Sequence, residues 1–388
     1  MPVRAEIAER MLIAFMAQPP LRPQDAVMLI PSLEPDDRLP AYVRRLREKG
    51  FLQVVIVDDG SSEAYQPIFA ELDAMDGVSV THHEVNRGKG CALKTGYAYI
   101  QAHCPHAIGV ITADADGQHT VEDCWRLAEA LTDGKRALYL GSRNFNLDHV
   151  PPKSRFGNKL TSGVFRLFYG VYLPDTQTGL RAFRIEDLPF MLAVSGERFE
   201  YEMQVLIACA RANLPMIPIE IETVYENENA GTHFHPIRDS YRIYKVILGN
   251  FIRYAGSSVI CFLVDNGVAS LLRFALLPLL GVVGDSAIQI SGYLARLVSS
   301  PLNFVLNRNF VFKFKQDTGK TALKYALLCI VVITLSNLGV SLLDHLHIFI
   351  GGFAFIPKIL MDMLLYFLSY RVQNKWIFAK PHATTQEA

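Results

Sequence analysis

Between Phe251 and Phe378 four apolar runs follow one another, at about 254–276, 287–306, 322–343 and 354–374. Each is close to the ~20 residues that a helix needs to cross the hydrocarbon core of a bilayer. Helices buried in a large soluble protein reach similar hydropathy, but four consecutive runs at this spacing argue for a membrane domain. Residues up to about Lys245 are mixed and charged, so a soluble domain comes first. The segment 307–324 carries Arg308, Lys313, Lys315, Lys320 and Lys324, whereas 278–286 and 344–352 carry no Lys or Arg. The positive-inside rule then puts that basic segment, the soluble domain, both termini and the tail with Lys375 and Lys380 in the cytosol. The expected place is the cytoplasmic (inner) membrane, crossed several times.

The runs also repeat. Arg253-Tyr254-Ala255 aligns with Lys324-Tyr325-Ala326, Asn266 with Asn337, and Ser270-Leu271-Leu272 with Ser341-Leu342-Leu343, at a constant offset. Asn307-Arg308-Asn309-Phe310-Val311-Phe312 matches Gln373-Asn374-Lys375-Trp376-Ile377-Phe378. Both hairpins enter and leave on one side, which makes this a parallel two-hairpin repeat. Asp265, Arg296, Lys358 and Asp362 fall inside the runs, where ionisable groups are costly. They either pair with one another to hold the bundle or meet a lipid phosphate; pairing is favoured, because four helices leave little room for a pore.

Four stretches divide the chain. Residues 1–25 read as a short helix and a Pro-rich linker, and 26–235 as the soluble domain. Residues 236–252 read as an interfacial amphipathic region, with Arg242, Lys245 and Arg253 beside apolar positions at helical spacing. Residues 253–380 form the membrane domain. The apolar piece Met11 to Ala17 is too short and too poorly flanked for a signal peptide.

Inside the soluble domain, Ala26 to Ile30 reads as a buried strand running into Pro31-Ser32-Leu33-Glu34, Arg38 to Lys49 as a helix, and Gln53 to Val57 as a strand ending in Asp58-Asp59-Gly60-Ser61. This is a parallel crossover unit with acids at its carboxyl end, where nucleotides are gripped; either aspartate can also cap the next helix. Val78 to His82 is a third strand. It leads to Asn86-Arg87-Gly88-Lys89-Gly90 and a helix from Cys91 to about Gln101. Glycines flanking a lysine let an anion approach a helix N-terminus, although a plain helix start has the same appearance. The spacing excludes a P-loop.

The apolar run Ala107 to Ile111 ends in Thr112-Ala113-Asp114-Ala115-Asp116-Gly117-Gln118-His119. Two carboxylates separated by one small residue at a strand end can hold a divalent cation that bridges to a pyrophosphate. A helix from Val121 to Leu131 and a strand from Ala137 to Leu140 follow, then Gly141-Ser142-Arg143. Pro151-Pro152-Lys153-Ser154-Arg155 adds two cations ahead of a helix starting near Asn158. Arginine's fork of donors matches a phosphate; a solvated basic loop is the alternative. A helix begins at Phe199 with Glu200 or Glu202 pointing back toward the site, and Ile217 to Val224 reads as the last strand.

Ile30-Pro31 with Glu34, Val57-Asp58-Asp59-Gly60-Ser61, Asn86-Arg87-Gly88-Lys89-Gly90, Asp114-Ala115-Asp116 and Gly141-Ser142-Arg143, in this order, resemble the family-2 glycosyltransferases. Those enzymes have the α/β GT-A fold, a Rossmann-like nucleotide-sugar-binding domain. Within them the chain is similar to the dolichol- or polyprenol-phosphate hexose synthases, over roughly residues 26–243. The resemblance implies a nucleotide-sugar donor (GDP-mannose or a UDP-hexose), a polyprenyl phosphate acceptor, a Mg²⁺ or Mn²⁺ ion and inverting transfer. It also implies roles for individual residues. Asp114, Asp116 and Gln118 would serve the metal. Pro31, Ser32, Glu34, Asp58, Asp59, Lys89, Asp114, Ala115, Gln118 and Arg181 would bind the nucleotide sugar. Arg143, Lys153 and Arg155 would hold the acceptor phosphate, with Asp116, Arg143 and Arg155 central to catalysis. Arg181 lies in Asp175 to Phe183, which resembles the family's Asp-x-x-Ser-Gly-Phe-Arg segment; an ion-pair role is its alternative. A polyprenyl phosphate oxygen is already anionic and needs no general base, so Glu200 is given a structural or positioning role. The sequence departs from many of these synthases at 226–233, where their loop carries an Arg and then Gly-x-Ser-Lys; here His233 or His235 would have to substitute. Phe251 to Phe378 resembles the GtrA-like membrane domain.

Lys+Arg 38 against Asp+Glu 38 leaves no bulk basic surface, so nucleic acid is not an expected partner. The six cysteines form no CxxC pair and read as reduced thiols. Two other classes compete. A lipid-linked-sugar translocator would leave the soluble domain accessory or degenerate, against which the intact Asp-Ala-Asp argues. A processive polysaccharide synthase would carry Gln-x-x-Arg-Trp, and neither Trp125 nor Trp376 stands in that context. A homo-oligomer is left open.

Overall fold

The computed structural model describes residues 20–147, 150–222, 236–315, 317–345 and 355–378. The expectations for residues 1–19 and for the loop with His233 and His235 lie outside that set. The chain divides into two compact units, the first reaching Ile243 and the second starting at Tyr244.

The first unit is built on a seven-stranded sheet: β1 (Ala26–Ser32), β2 (Gln53–Asp58), β3 (Val78–His82), β4 (Gly109–Thr112), β5 (Leu138–Arg143), β6 (Arg181–Arg184) and β7 (Met216–Ile221), in the order β3-β2-β1-β4-β6-β5-β7. β1 is buried along its whole length, as a central parallel strand covered on both faces must be. It pairs in parallel with β2 and β4. The helices α1 (Arg38–Lys49), α2 (Gln66–Asp73), α3 (Lys89–His103) and α4 (Val121–Leu131) follow β1 to β4 in turn. Gly50 stops α1 at φ 127°, a conformation open to glycine, and Thr120 caps α4 by accepting from the Asp123 amide.

One expectation is corrected here, the start of the helix near Asn158, and one strand was not anticipated. The segment around Arg181 is that strand, β6, antiparallel to both β4 and β5. Because it runs the other way, its first residue, Arg181, pairs with the last residue of β4, Thr112, and so reaches the edge where the parallel strands end. The helix expected near Asn158 is α5 (Pro152–Tyr169). Proline at the first helical position lacks only an N–H that would be unpaired anyway, so Lys153 and Arg155 stand in the first turn of a helix and not in a loop. The first unit continues with α6 (Leu188–Ala193) and α7 (Glu200–Ala212).

The second unit is helical. A helix α8 (Pro236–Leu271), whose residues up to Ile243 belong to the first unit, precedes α9 (Asp285–Leu306), α10 (Thr318–His345) and α11 (Phe355–Val372), one at each apolar run. α8 is unbroken, so the stretch expected as a separate interfacial element is the start of the first long helix. Among the described residues one helical stretch, Tyr241–Leu279, is long and apolar enough to cross a membrane. The repeated segments both end in π turns, Asn307–Val311 and Gln373–Ile377. There the buried Asn307 amide donates to Gln373 Oε1 at 3.1 Å, and the rings of Phe312 and Phe378 stack 4.8 Å apart. Asp265 pairs with Arg296 at 3.5 Å and accepts from Ser299 Oγ at 2.6 Å, the arrangement that holds helices together. The side chains of Lys358 and Asp362 lie outside the described set.

Candidate active site

One edge of the sheet gathers the acids. β2 ends at Asp58, β4 leads through Ala113 into Asp114, and β5 ends at Arg143. Asp58 is buried and accepts from the Ser61 amide at 2.8 Å, from Gln66 Nε2 at 3.3 Å and from His82 Nδ1 at 2.9 Å. Burial pushes its carboxyl upward, but the bonds from Ser61, His82 and Gln66 outweigh it and hold the group below the ordinary range. Asp59 faces the next loop: it meets His83 Nδ1 at 2.7 Å and accepts from the Arg87 and Gly88 amides at 2.9 and 2.7 Å. It therefore shapes the turn that starts α3. Glu34 is exposed at φ 50°, its amide donating to Ser61 Oγ. Pro31 and Ser32 close β1, and Ser32 Oγ is buried without a hydrogen-bond partner among the described residues.

Lys89, in the first turn of α3, bridges two carboxylates. Its Nζ lies 2.6 Å from Asp114 Oδ1 and 3.1 Å from Glu202 Oε2. Burial opposes the charged lysine, yet the two carboxylates more than offset that and raise its pKa. Asp114 Oδ2 also meets His119 Nε2 at 3.3 Å. Burial would raise the Asp114 carboxyl, but Lys89 and His119 hold it well below the ordinary range. Asp116 is shifted the other way, raised by burial and by the charge of Asp114. Its Oδ1 accepts from the Gln118 amide at 3.0 Å, across a turn whose Gly117 sits at φ 74°. Ala115, between the two acids, packs partly against the core.

Behind Asp114 stands a wall made by 178–181. Thr112 Oγ1 donates to the Gly179 carbonyl at 2.8 Å, and a Cβ at Gly179 would stand 2.3 Å from Asp114 Oδ2. Arg181 is buried; its Nε donates to the Thr178 carbonyl at 2.9 Å and its Nη1 to the Glu202 carbonyl at 2.7 Å. These contacts brace α7 against the wall.

The cations split into two groups. Arg143 makes a two-pronged pair with the buried Asp175, Nε at 2.7 Å and Nη2 at 3.3 Å, and its guanidinium lies over the Phe145 ring. Arg155 donates from Nη2 to the Leu147 carbonyl at 2.8 Å, and Lys153 is exposed. Two partners were not legible beforehand: Asp175 as the seat of Arg143, and His119 behind Asp114. Of the two acids expected to point back toward the site, Glu202 is the one that reaches Lys89. Glu200 instead accepts from the Glu197 and Arg198 amides at 3.2 and 3.3 Å, as a cap at the start of α7.

A mostly parallel sheet with one reversed strand, carrying paired acids and arginines on the edge where the parallel strands end, defines an α/β transferase domain of the GT-A kind. Residues 28–186 match Glycosyl transferase family 2, and residues 244–378 match the GtrA/DPMS transmembrane domain. The chain thus carries a glycosyl transferase family 2 domain followed by a GtrA/DPMS transmembrane domain. It is 27% identical over 215 residues to the UDP-N-acetylglucosamine–dolichyl-phosphate N-acetylglucosaminyltransferase of Methanococcus voltae, covering 51% of this chain and 85% of that one. It is 25% identical over 214 residues to the polyprenol monophosphomannose synthase of Mycolicibacterium smegmatis, covering 54% of this chain and 80% of that one.

The donor set fits a divalent cation of the hard kind. Asp116 is a carboxylate whose charge is disfavoured by burial and then by its neighbour Asp114, and a bound cation would relieve the repulsion between them. Mg²⁺ is commonly held by one or two carboxylates together with substrate phosphates, so Asp116 and Asp114 would hold such an ion only with a phosphate completing the shell.

Proposed function

We propose that the chain moves a hexose from a nucleotide sugar to the phosphate of a polyprenyl phosphate at the cytosolic face of the membrane, as an inverting transferase. The observation that carries this reading is the pairing, on one sheet edge, of the Asp114/Asp116 acids with Arg143, in a chain that also has a membrane domain. The two relatives named above support it, since both are named for transfers that involve a dolichyl or polyprenyl carrier.

In this reading Asp116 is the principal ligand of a Mg²⁺ or Mn²⁺ ion, with Asp114 and Gln118 beside it. The ion's contribution when bound is Lewis-acid neutralisation of the nucleoside diphosphate leaving group. Asp58, Asp59, Lys89 and the Pro31–Glu34 segment form the nucleotide side of the pocket. On the acceptor side Arg143, oriented by Asp175, and the α5 cations Lys153 and Arg155 hold the lipid phosphate. Its anionic oxygen attacks the anomeric carbon as the bond to the nucleoside diphosphate breaks. No side chain has to remove a proton, which agrees with Glu200 being spent as a helix cap.

The exposed face of α5 suits a lipid surface. Phe156, Leu160 and Leu167 are exposed at helical spacing among Lys153, Lys159 and Arg166, and residues 151–172 contain no acid. Such a face can sink its apolar side chains between lipids while its cations meet anionic headgroups. The four helices α8 to α11 would span the bilayer with both termini cytosolic, keeping the acceptor at hand and removing much of the entropic cost of encounter.

Transfer of radiolabelled sugar from GDP-mannose, UDP-glucose and UDP-N-acetylglucosamine to polyprenyl phosphate, with Mn²⁺ in detergent, tests this reading. Label should enter the lipid phase from one donor and not with Asp116→Ala. Absence of lipid product from every donor, with folded protein, would overturn it.

A further inference from the structure

Lys89 occupies a place where a cation already sits against Asp114. Its ammonium, 2.6 Å from Asp114 Oδ1, competes for the same carboxylate that a divalent ion would use. Glu202 holds the other side of that ammonium at 3.1 Å. The lysine and Glu202 side chains are 15% and 13% exposed, so water screens this pair poorly. Glu202 is also fixed from behind, its carbonyl taken by the buried Arg181 and its helix started by the Glu200 cap. The Phe199 ring lies 5.9 Å from the ammonium and closes one more side.

We propose that Glu202 is a positioning residue that sets the divalent-cation affinity of the site by sharing Lys89 with Asp114. Two consequences of its charge act in one direction. Glu202 draws the ammonium partly off Asp114, which leaves that carboxylate able to turn toward an ion, and it cancels the lysine's charge, which would otherwise repel the ion. With Glu202 neutral, Lys89 settles on Asp114 alone and the cluster is one charge more positive. With Glu202 charged, the lysine can leave Asp114 for a donor phosphate when nucleotide arrives, and Glu202 is the anchor from which it moves. This inference rests on Asp116 and Asp114 being the metal site, and it assigns a role outside the ligand set itself.

The test is Mn²⁺ binding by the full chain in detergent, with UDP or GDP present, followed by the electron paramagnetic resonance signal of free Mn²⁺. Glu202→Gln should weaken Mn²⁺ binding about fivefold and raise the Mn²⁺ concentration needed for half-maximal transfer. Glu200→Ala, which removes a helix cap two positions away, should lower thermal stability and leave Mn²⁺ affinity as it is. In a Lys89→Met background the Glu202→Gln effect should vanish, because the route through the lysine is gone. An unchanged affinity in Glu202→Gln, or an equal loss with and without Lys89, overturns the proposal while the metal reading stands. Absence of Mn²⁺ uptake by the wild type overturns the metal reading, and this inference with it.

Discussion

Gly179→Ala is a one-carbon perturbation aimed at a single carboxylate. The new Cβ would lie 2.3 Å from Asp114 Oδ2 and 2.7 Å from both Cγ and Oδ1. Ordinary contact begins near 3.4 Å, so the carboxylate has to retreat by about 1 Å. It cannot do so freely, because Lys89 holds Oδ1 at 2.6 Å and His119 meets Oδ2 at 3.3 Å. The Gly179 carbonyl is itself tied to Thr112, which stops the backbone from yielding instead. Giving up the charge-assisted bond to Lys89 costs about 1.5–3 kcal/mol. A displacement of about 1 Å at a reacting centre costs up to roughly 100-fold in rate. The expected outcome is therefore a fall in kcat/KM of about 10- to 100-fold with a weakened response to Mn²⁺ and a folded protein. Gly163→Ala is the matched control: it sits on the exposed face of α5 with nothing within 4 Å of the new Cβ, and should stabilise the helix by about 0.5–1 kcal/mol. Steady-state transfer against Mn²⁺, with circular dichroism on both variants, reads the result. If Gly179→Ala keeps wild-type kcat/KM while folded, Asp114 does not need its observed position and the reasoning fails.

Three other predictions follow from the same geometry. Asp116 carries a raised carboxyl, so protons compete with the cation there and Mn²⁺ affinity should decline on acidification from a higher pH than an unperturbed aspartate would show. The sign for stability is opposite for its neighbour. Asp114, held low, stabilises the fold above the ordinary aspartate value and loses that contribution as pH falls through its folded value. Asp116, held high, favours the fold increasingly as pH drops, so Asp116→Asn should melt above wild type at pH 7 and lose that advantage in acid; equal melting across the range would contradict the assignment. Asp175→Asn frees the Arg143 fork from a fully buried partner and should cost about 2 kcal/mol, less than a fully buried pair because Arg143 is partly exposed, with a raised KM for the lipid phosphate measured by transfer assay. Leu160→Glu puts an acid on the exposed face of α5; transfer to long-chain acceptor in liposomes should drop several-fold, whereas an equal drop with a soluble short-chain acceptor would point to misfolding and away from lipid contact.

Much of this protein is local in the chain and was therefore readable from order alone. The boundaries of β1, α1, β3 and α4 follow from runs of apolar residues with the right period and from caps a few residues away. Acids that end parallel strands must come out on one edge, so Asp58, Asp59, Asp114 and Asp116 were assignable to one edge of the sheet. The doubled apolar hairpins were visible because a repeat needs no knowledge of contact. The helix start at Pro152 and the strand at Arg181 were not, since the first hides behind two prolines and a basic stretch and the second is four residues long.

Sequence by itself determined the class of site, the division into a charged unit and an apolar helical one, and the pairing of the membrane hairpins into a repeat. Only the tertiary structure decided which partners the charges take. Glu200 and Glu202 are two residues apart on α7 and so point to different sides of the helix: one caps its own helix and the other crosses to Lys89, 113 residues away in the chain. Asp175 reaches Arg143 across 32 residues because the chain passes out through α5 and comes back in the connection that precedes β6. Asn307 meets Gln373 because the two π turns close against each other. Hydrophobic period and strand-end chemistry act over a few residues, whereas the ion pairs that tune a carboxylate depend on the path of the whole chain.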